Sequence, residues 1–230
     1  AGRQADIYLD QNIGAEDQQW PDWDPTALRL AGLDYVLIRD DIRGARPSSI
    51  SSAGDRVPKV LAVFGGTDPY GASPVMTEAL VRTGRPFKLT VVASRSELVD
   101  QIDRLSPGPD QHINVIAPTD RFAALAAEAD LVISAAGSSS WELLCLGSAV
   151  AFVCVADNQR DSYARVIESG YGYALGYLED AHGDLALATE QLTRALSKPE
   201  ERLALREKAR SVIDGRGRTR VADALLNLIS

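Results

Sequence analysis

The sequence predicts an α/β fold in which a parallel sheet carries helices on both faces, preceded by a short N-terminal segment. From residue 59 onward, short apolar runs alternate with amphipathic stretches of helix length, the order expected of strands joined by crossover helices. The apolar runs are rich in Val, Ile and Leu and do not alternate with polar residues. That composition is typical of strands covered on both faces.

Six strands are predicted after residue 58, with helices in the gaps between them. In chain order the strands are Lys59–Phe64, Phe87–Ala93, Ile113–Ile116, Leu131–Ser134, Ala149–Val155 and Gly172–Leu175. Helix starts are predicted from capping residues and helix ends from glycines. The predicted caps are Ser73, Ser94 with Glu97, and Asp120, and the predicted stops are Gly84 and Gly170.

The N-terminal segment is expected to pack on the rest of the chain. Residues 44–58 are rich in Gly, Ser and Pro and predict a linker between residues 1–43 and a main domain of residues 59–230. Two strands, Asp6–Leu9 and Tyr35–Ile38, are predicted before the linker. So short a segment cannot bury a core of its own.

Composition narrows the class of partner. Of 230 residues, 45% are hydrophobic and 24% are charged, with a formal net charge of -8. The negative charge argues against nucleic acid as the main partner. No apolar run is long enough for a membrane span, and the N-terminus is unlike a signal peptide, so we expect a cytoplasmic protein. Cys145 and Cys154 are expected to be buried free thiols.

The first candidate site motif is Phe64-Gly-Gly-Thr-Asp-Pro69, at the end of the first predicted strand of the main domain. Gly65 and Gly66 would let a ligand approach the backbone closely, with Thr67 and Asp68 beside it. The alternative is a tight turn in which Asp68 caps the next helix. The motif lacks the Gly-Lys-Ser/Thr ending of a Walker loop.

The second motif is Ala135-Ala-Gly-Ser-Ser-Ser-Trp-Glu142, which follows a predicted strand and opens a helix. Gly137, Ser138, Ser139 and Ser140 would bring backbone N–H groups and hydroxyls to the N-terminus of that helix, where a diphosphate binds favourably. Glu142, one turn further, could accept hydrogen bonds from ribose hydroxyls. The alternative is a capping box formed by Ser139 and Glu142.

The third motif, Asp157-Asn158-Gln159, follows another predicted strand. Amide side chains offer both donors and an acceptor, which suits sugar hydroxyls, although a polar turn is the alternative. His112 and His182 are expected to be surface residues. No catalytic residue, metal site or cofactor is predicted.

Taken together, these motifs resemble the C-terminal half of a nucleotide-sugar enzyme of the GT-B fold, with its Rossmann-like sheet. The resemblance is to the UDP-sugar hydrolase of pseudaminic acid biosynthesis and to the related spore-coat polysaccharide proteins. It covers residues 5–175 and also rests on Tyr8–Gly14 and Gly32–Arg39. The glycosyltransferase that adds N-acetylglucosamine in peptidoglycan synthesis shares the broader pattern.

The resemblance implies a role for each motif in a UDP-sugar site. Gly137 to Ser139 would bind the diphosphate, Glu142 the ribose, and Asn158 with Gln159 the sugar. The uracil would lie on backbone groups of the loop that follows Ile116, near Ala117–Thr119, and the Gly-Gly-Thr loop would face the cleft between domains.

One feature of that hydrolase family has no match here. Its catalytic histidine lies in a glycine-rich loop near the start of the N-terminal domain, and residues 1–43 would be only the tail of that domain. The absence of an initial Met also favours an excised piece. Three hypotheses follow: a UDP-sugar hydrolase that releases an amino-sugar, a glycosyltransferase, or a non-catalytic UDP-sugar-binding module.

Overall fold

The computed structural model describes residues 5–19, 24, 26–50 and 56–228 and contains two separate parallel sheets. The small sheet has two strands, β1 (Ile7–Asp10) and β2 (Leu28–Ala31). The large sheet has six, in the order β5-β4-β3-β6-β7-β8. These six are β3 (Lys59–Val63), β4 (Phe87–Val92), β5 (Gln111–Ile116), β6 (Leu131–Ala135), β7 (Val150–Cys154) and β8 (Tyr173–Tyr177).

Helices connect successive strands of the large sheet and continue to the end of the described chain. They are α1 (Asp40–Ala45), α2 (Ala72–Arg82), α3 (Ser96–Asp103), α4 (Phe122–Glu128), α5 (Ser139–Leu146), α6 (Arg160–Glu168), α7 (Leu178–Ala181), α8 (Ala186–Ser197), α9 (Pro199–Val212) and α10 (Gly217–Leu228). Every strand pairing in the large sheet is parallel. The predicted α/β fold class is therefore confirmed.

The large sheet is covered on both faces, as its apolar strands predict. All five residues of β7 are buried, and they divide by alternation between two apolar clusters. Ala151 and Val153 join Met76 of α2 on one face, whereas Val150 and Phe152 join the buried face of α5 on the other. A strand buried on both faces has no solvent-facing positions, which explains its continuous apolar run.

The N-terminal segment packs on the second of these clusters, as expected for a segment too short to fold alone. Val36, Ile38 and Ile42 are each at most 3% exposed and lie in the same cluster as α5. Helix α1 crosses the predicted boundary at residue 43. The division into 1–43, 44–58 and 59–230 stays a prediction.

The second N-terminal strand was placed wrongly by the sequence pattern. The strand that pairs with β1 is β2, and Tyr35–Ile38 follows a short 3-10 helix and joins neither sheet. The apolar residues of Tyr35–Ile38 point alternately inward because this extended segment lies directly on the second cluster. Leu37, between two buried residues, is 44% exposed. Burial on one side alone therefore produced the alternation of buried and exposed residues that is typical of a strand.

Helix ends were predicted better than helix starts. Gly84 and Gly170 have left-handed backbone conformations just after α2 and α6, as predicted. The predicted caps at Ser73, Ser94 and Asp120 were wrong. Ser73 lies inside α2, and the Ser94 hydroxyl donates to the carbonyl oxygen of Gly66.

At α4, the Thr119 hydroxyl, not Asp120, accepts the first backbone N–H, from Arg121. The sequence also predicts a terminal helix with Val221, Leu225, Leu226 and Ile229 on one apolar face. Helix α10 exposes much of that face, with Leu225 and Leu226 more than half exposed. Ile229, also assigned to that face, lies outside the described residues. Within the described chain, no helix has both the length and the apolar composition to cross a bilayer.

Candidate functional site

The candidate site lies where the connections of the large sheet change direction. The chain moves outward from β3 to β4 and β5, then returns to the other side of β3 to form β6, β7 and β8. The loops after β3 and β6 therefore leave adjacent strands toward opposite faces, because α2 and α5 lie in different apolar clusters. In open parallel sheets, such a divergence leaves a crevice at the carboxyl ends of the strands, where ligands bind.

Helix α5 presents its N-terminus to this crevice. Trp141 is 5% exposed and Leu143 and Leu144 are fully buried, so the helix is held firmly in the core. Ser138 precedes the helix as its N-cap residue, and Ser139 is the first helical residue. The Ser138 side chain makes no capping hydrogen bond. The N–H groups of Ser140 and Trp141 donate to the carbonyl oxygens of Gly137 and Ser138 within the turn. The N–H groups of Ser138 and Ser139 and the positive end of the helix dipole lie at the start of the helix, where an anion binds favourably.

Ser140 does not belong to this surface, although the sequence placed it there. Its side chain is fully buried beneath the turn, and its hydroxyl oxygen lies 3.5 Å from the carbonyl oxygen of Ala135. A helix turns by about 100° per residue, so three consecutive serines cannot all face one ligand. Two hydroxyls, those of Ser138 and Ser139, remain at the crevice.

Three adjoining cavities make up the crevice, which we call the cleft, and Ser139 lines all three. The largest has a volume of about 490 Å³ and the second about 340 Å³. The third, of about 150 Å³, lies between Leu37 and Glu142. The largest is lined by Gln11, Asn12, Phe64, Gly65, Pro69, Tyr70, Ser134–Ser139, Trp141, Val155, Asn158, Gln159 and Ser162. The second is lined by Arg39, Val63, Gly65, Gly66, Val92, Pro118, Thr119, Phe122, Ser139 and Glu142.

The glycine pair after β3 forms an open floor in the cleft. Gly65 has φ +72°, a conformation that favours glycine, and it lines both large cavities. A Cβ atom built on Gly65 or Gly66 would meet no other atom within 4 Å. The space above this backbone is therefore free for a ligand.

Asp68 has a structural role at the start of α2. It is 3% exposed, and its carboxylate accepts the backbone N–H groups of Ala72 at 2.9 Å and Ser73 at 2.7 Å. Both bonds satisfy the start of α2, which is the alternative that the sequence had left open. Thr67 is exposed but lines none of the three cavities.

Glu142 lies in the cleft but does not form the capping box that its spacing from Ser139 allows. Its carboxylate instead accepts two hydrogen bonds from Arg39, from Nε at 2.8 Å and from Nη2 at 3.3 Å. This contact raises the pKa of the Arg39 guanidinium above its ordinary value, mainly through the hydrogen bond to Glu142. The Glu142 side chain is 20% exposed and lines two of the cavities.

The third motif is divided between the cleft and the protein surface. Asn158 and Gln159 line the largest cavity, whereas Asp157 is exposed and forms an ion pair with Arg160 at 2.9 Å. The Gln159 amide oxygen accepts the N–H of Val155 at 3.3 Å. Its amide nitrogen lies 3.3 Å from where a Cβ on Gly137 would be, so glycine provides room for it.

The loop after β5 reaches the cleft with part of the segment that the sequence singled out. Ile116 is half-buried against the second apolar cluster and Ala117 is exposed, and neither lines the three cavities. Pro118, Thr119 and Phe122 line the second cavity instead.

Gln11 and Asn12 were missed as site residues. They follow β1 and line the largest cavity together with Asn158 and Gln159. Their position in the motif Tyr8–Gly14 was the available signal, but nothing in the sequence shows that β1 ends at this cleft. The contact is made only when the small sheet packs beside the large one.

Other candidate reactive groups lie outside the cleft or are buried. His112 and His182 are exposed, and neither lines the three cavities. Cys145 and Cys154 are buried free thiols, as predicted, and burial raises the pKa of each above its ordinary value. Among the residues described here, no cluster of His, Cys, Asp and Glu could hold a metal ion.

Comparison with known proteins finds distant relatives in sequence, and no family model matches the chain. An uncharacterized protein of Methanocaldococcus jannaschii, MJ1062, is 26% identical over 197 residues, which are 80% of this chain and 41% of that protein. The spore coat polysaccharide biosynthesis protein SpsG of Bacillus subtilis is 24% identical over 203 residues, 86% of this chain and 58% of SpsG. The chain thus spans about half the length of these relatives.

Solved structures establish the fold. MurG of Acinetobacter baumannii matches with a TM-score of 0.65 at 18% identity, over 90% of this chain and 58% of MurG. Also matched are WaaG, a glycosyltransferase of lipopolysaccharide biosynthesis, and a Neisseria meningitidis UDP-GlcNAc 2-epimerase bound to UDP-GlcNAc, with TM-scores of 0.55 and 0.51. The architecture is that of GT-B glycosyltransferases, a parallel α/β sheet with helices on both faces.

Proposed function

We propose that this chain binds a UDP-sugar in the cleft, as part of an enzyme of surface polysaccharide biosynthesis. The observation that carries the proposal is the position of Ser139. This residue opens the uncapped end of α5 and lines all three cavities. A ligand with a phosphate group at its centre and a different group on each side fits such an arrangement.

The diphosphate is assigned to the N-terminus of α5. Gly137, Ser138 and Ser139 all line the largest cavity, and the two serines add hydroxyl donors to the backbone N–H groups. The protein has a formal net charge of -8, so attraction of the anion must come from this local field. The helix is buried and rigid, which lets its dipole act without reorganisation.

The nucleoside is assigned to the second cavity. The Glu142 carboxylate at one end offers acceptors for the two ribose hydroxyls. Pro118, Thr119 and Phe122 form the other wall, where backbone groups and an aromatic side chain can contact a flat base. The proposed uracil contact therefore lies at Pro118 and Thr119, within the predicted loop Ala117–Thr119.

The sugar is assigned to the largest cavity, beyond the phosphates. Four amide side chains that line this cavity supply donors and acceptors for hydroxyl groups: Asn158, Gln159, Gln11 and Asn12. Tyr70, which is 52% exposed, lies at the rim of this cavity.

The reaction that we propose is hydrolysis of the UDP-sugar, in which water attacks the anomeric carbon and UDP leaves. The α5 N-terminus would stabilise the negative charge that develops on the leaving diphosphate. We assign the base that accepts the proton of water to a histidine of an N-terminal domain, as the resemblance to the hydrolase family implies; His112 and His182 do not line the cleft. SpsG, a relative named for polysaccharide biosynthesis, supports the biological setting.

The second candidate is transfer of the same sugar to an acceptor. It is favoured by the match to WaaG, whose name states a glycosyltransferase. Both reactions require the same donor site. They are separated by measuring UDP release from UDP-sugars, with and without acceptors, by this chain together with the N-terminal domain to which the base is assigned; release that needs no acceptor favours hydrolysis. Binding without release under either condition would support the non-catalytic module.

Calorimetry with UDP tests the site itself. Glu142→Ala is expected to weaken UDP binding by about 10- to 100-fold, because it removes charge-assisted hydrogen bonds to the ribose. Glu207→Ala, which removes an exposed glutamate on α9, is the matched control and should leave the affinity unchanged. Equal affinities of wild type and Glu142→Ala would contradict the ribose assignment.

A further inference from the structure

We propose that Arg39 is a positioning residue that orients the Glu142 carboxylate for the ribose. This inference rests on the proposed function, because it concerns the nucleoside end of the same cleft. It gives the N-terminal segment a direct part in nucleotide binding.

The contact between the two residues has the geometry of an orienting pair. Nε and Nη2 of Arg39 each bond a different oxygen of Glu142, at 2.8 Å and 3.3 Å. Two parallel bonds from a planar guanidinium fix both the position and the plane of a carboxylate, which a single bond cannot do. The residues are 103 positions apart in sequence, so only the tertiary fold creates the pair.

Arg39 is well placed to hold this position. Its neighbours Ile38 and Ile42 are 1% and 0% exposed, so the backbone on either side of Arg39 is anchored in the core. The outer side of the guanidinium faces Asp41, whose carboxylate oxygen lies 3.5 Å from Nη1. The guanidinium therefore contacts two carboxylates, that of Glu142 in the cleft and that of Asp41.

Arg39 determines the direction in which the Glu142 carboxylate extends. The sequence allows a capping box between Ser139 and Glu142, but in the structure Ser138 is the N-cap and Ser139 is the first residue of α5, so Glu142 lies one position too far along the helix for that contact. Arg39 draws the carboxylate into the second cavity instead, and both residues line that cavity. A carboxylate has about four acceptor positions, and Arg39 uses two of them, which leaves one on each oxygen for a ribose hydroxyl.

The test compares UDP with 2′,3′-dideoxy-UDP, which lacks both ribose hydroxyls. Arg39→Ala is expected to weaken UDP binding about fivefold, a modest effect because the pair is partly exposed to solvent. It should change the affinity for the dideoxy nucleotide by less than twofold, and in a Glu142→Ala background it should cause no further loss of UDP binding.

Two further variants separate orientation from charge and from folding. Arg39→Lys keeps the charge but cannot make two parallel bonds, so it should restore only part of the affinity. Arg43→Ala removes another exposed arginine of the same segment and should bind UDP as the wild type does. The Arg39 side chain is 57% exposed, so unfolding temperatures should remain close to that of the wild type.

Several results would overturn the inference. Unchanged or tighter UDP binding by Arg39→Ala would mean that Arg39 is dispensable or competes with the ribose. An equal loss for UDP and its dideoxy analogue would mean that the guanidinium contacts the phosphates or the base directly. If the wild type bound no UDP, or Glu142→Ala bound it normally, the proposed function would fail as well, whereas a loss with Glu142→Ala but none with Arg39→Ala refutes only the role of Arg39.

Discussion

Replacement of Asp68 decides whether this residue serves the ligand or the fold. The sequence placed it among the candidate binding residues, whereas the structure shows its carboxylate bonded to the N–H groups of Ala72 and Ser73. Asp68→Ala should therefore destabilise the protein and leave UDP binding nearly unchanged. Asp68→Asn should have a smaller effect on stability, because the amide keeps one of the two acceptor oxygens.

The expected size of the effect follows from these contacts. Loss of an N-terminal cap costs about 0.5–2 kcal/mol, and leaving buried N–H groups without partners adds about 1–3 kcal/mol. We expect a loss of about 3 kcal/mol for Asp68→Ala, which for a chain of this length lowers the Tm by about 6–12 °C. Asp68 has φ +44°, a region that asparagine also tolerates, so Asp68→Asn reports the hydrogen bond rather than backbone strain.

Urea denaturation measures the stability change, and calorimetry with UDP measures binding under conditions where each variant is folded. A structural role predicts an affinity within about threefold of the wild type, since the loop before α2 only borders the cleft. The reasoning is refuted if Asp68→Ala unfolds at the wild-type urea concentration and binds UDP more than tenfold more weakly.

Two other predictions concern the floor of the cleft and a buried tyrosine. Gly66→Ala should change the free energy of unfolding by less than about 0.5 kcal/mol, because the new Cβ meets nothing within 4 Å. The same substitution should weaken UDP-sugar binding, because the ligand approaches the backbone at this position. Gly44→Ala, also without Cβ neighbours, is its control, and unchanged affinity in Gly66→Ala would show that no ligand approaches there. Burial raises the pKa of Tyr173 to about 12 from an ordinary value of 10.0. As the pH rises, the unfolded chain therefore loses this proton before the folded chain does, and the free energy of unfolding should fall between pH 10 and 12. Tyr173→Phe should reduce that alkaline loss in urea titrations at pH 9 and pH 11, and an identical pH dependence in both proteins would contradict the assignment.

Much of the fold could be predicted because it depends on local patterns. The six strands of the large sheet were located within a few residues, since each is a continuous apolar run between polar segments. The prediction of a strand at Tyr35–Ile38 was wrong. One side of this segment packs on the second apolar cluster, and the strand that pairs with β1 is β2. Alternation of apolar residues indicates that one side of a segment is buried, but it does not show whether a sheet or another part of the protein covers that side.

The candidate site could be predicted in outline but not in detail. Glycine and serine turns after strands mark the carboxyl ends of a parallel sheet, and these ends must lie at one edge. Which side chains reach the ligand depends on helix phase and neighbouring segments. Ser140 is buried whereas Ser139 lines the cleft, and Asp68 is used by α2.

By itself, the sequence determined the fold class and the two turns that form the centre of the cleft, because strand burial and glycine conformation act over a few residues. The tertiary structure alone decided that Gln11 and Asn12 line the same cavity as Asn158 and Gln159. It also decided that Arg39, rather than a helix cap, holds Glu142. Such contacts join residues more than 100 positions apart, so no local pattern can encode them, and they form only when the N-terminal segment packs against the sheet.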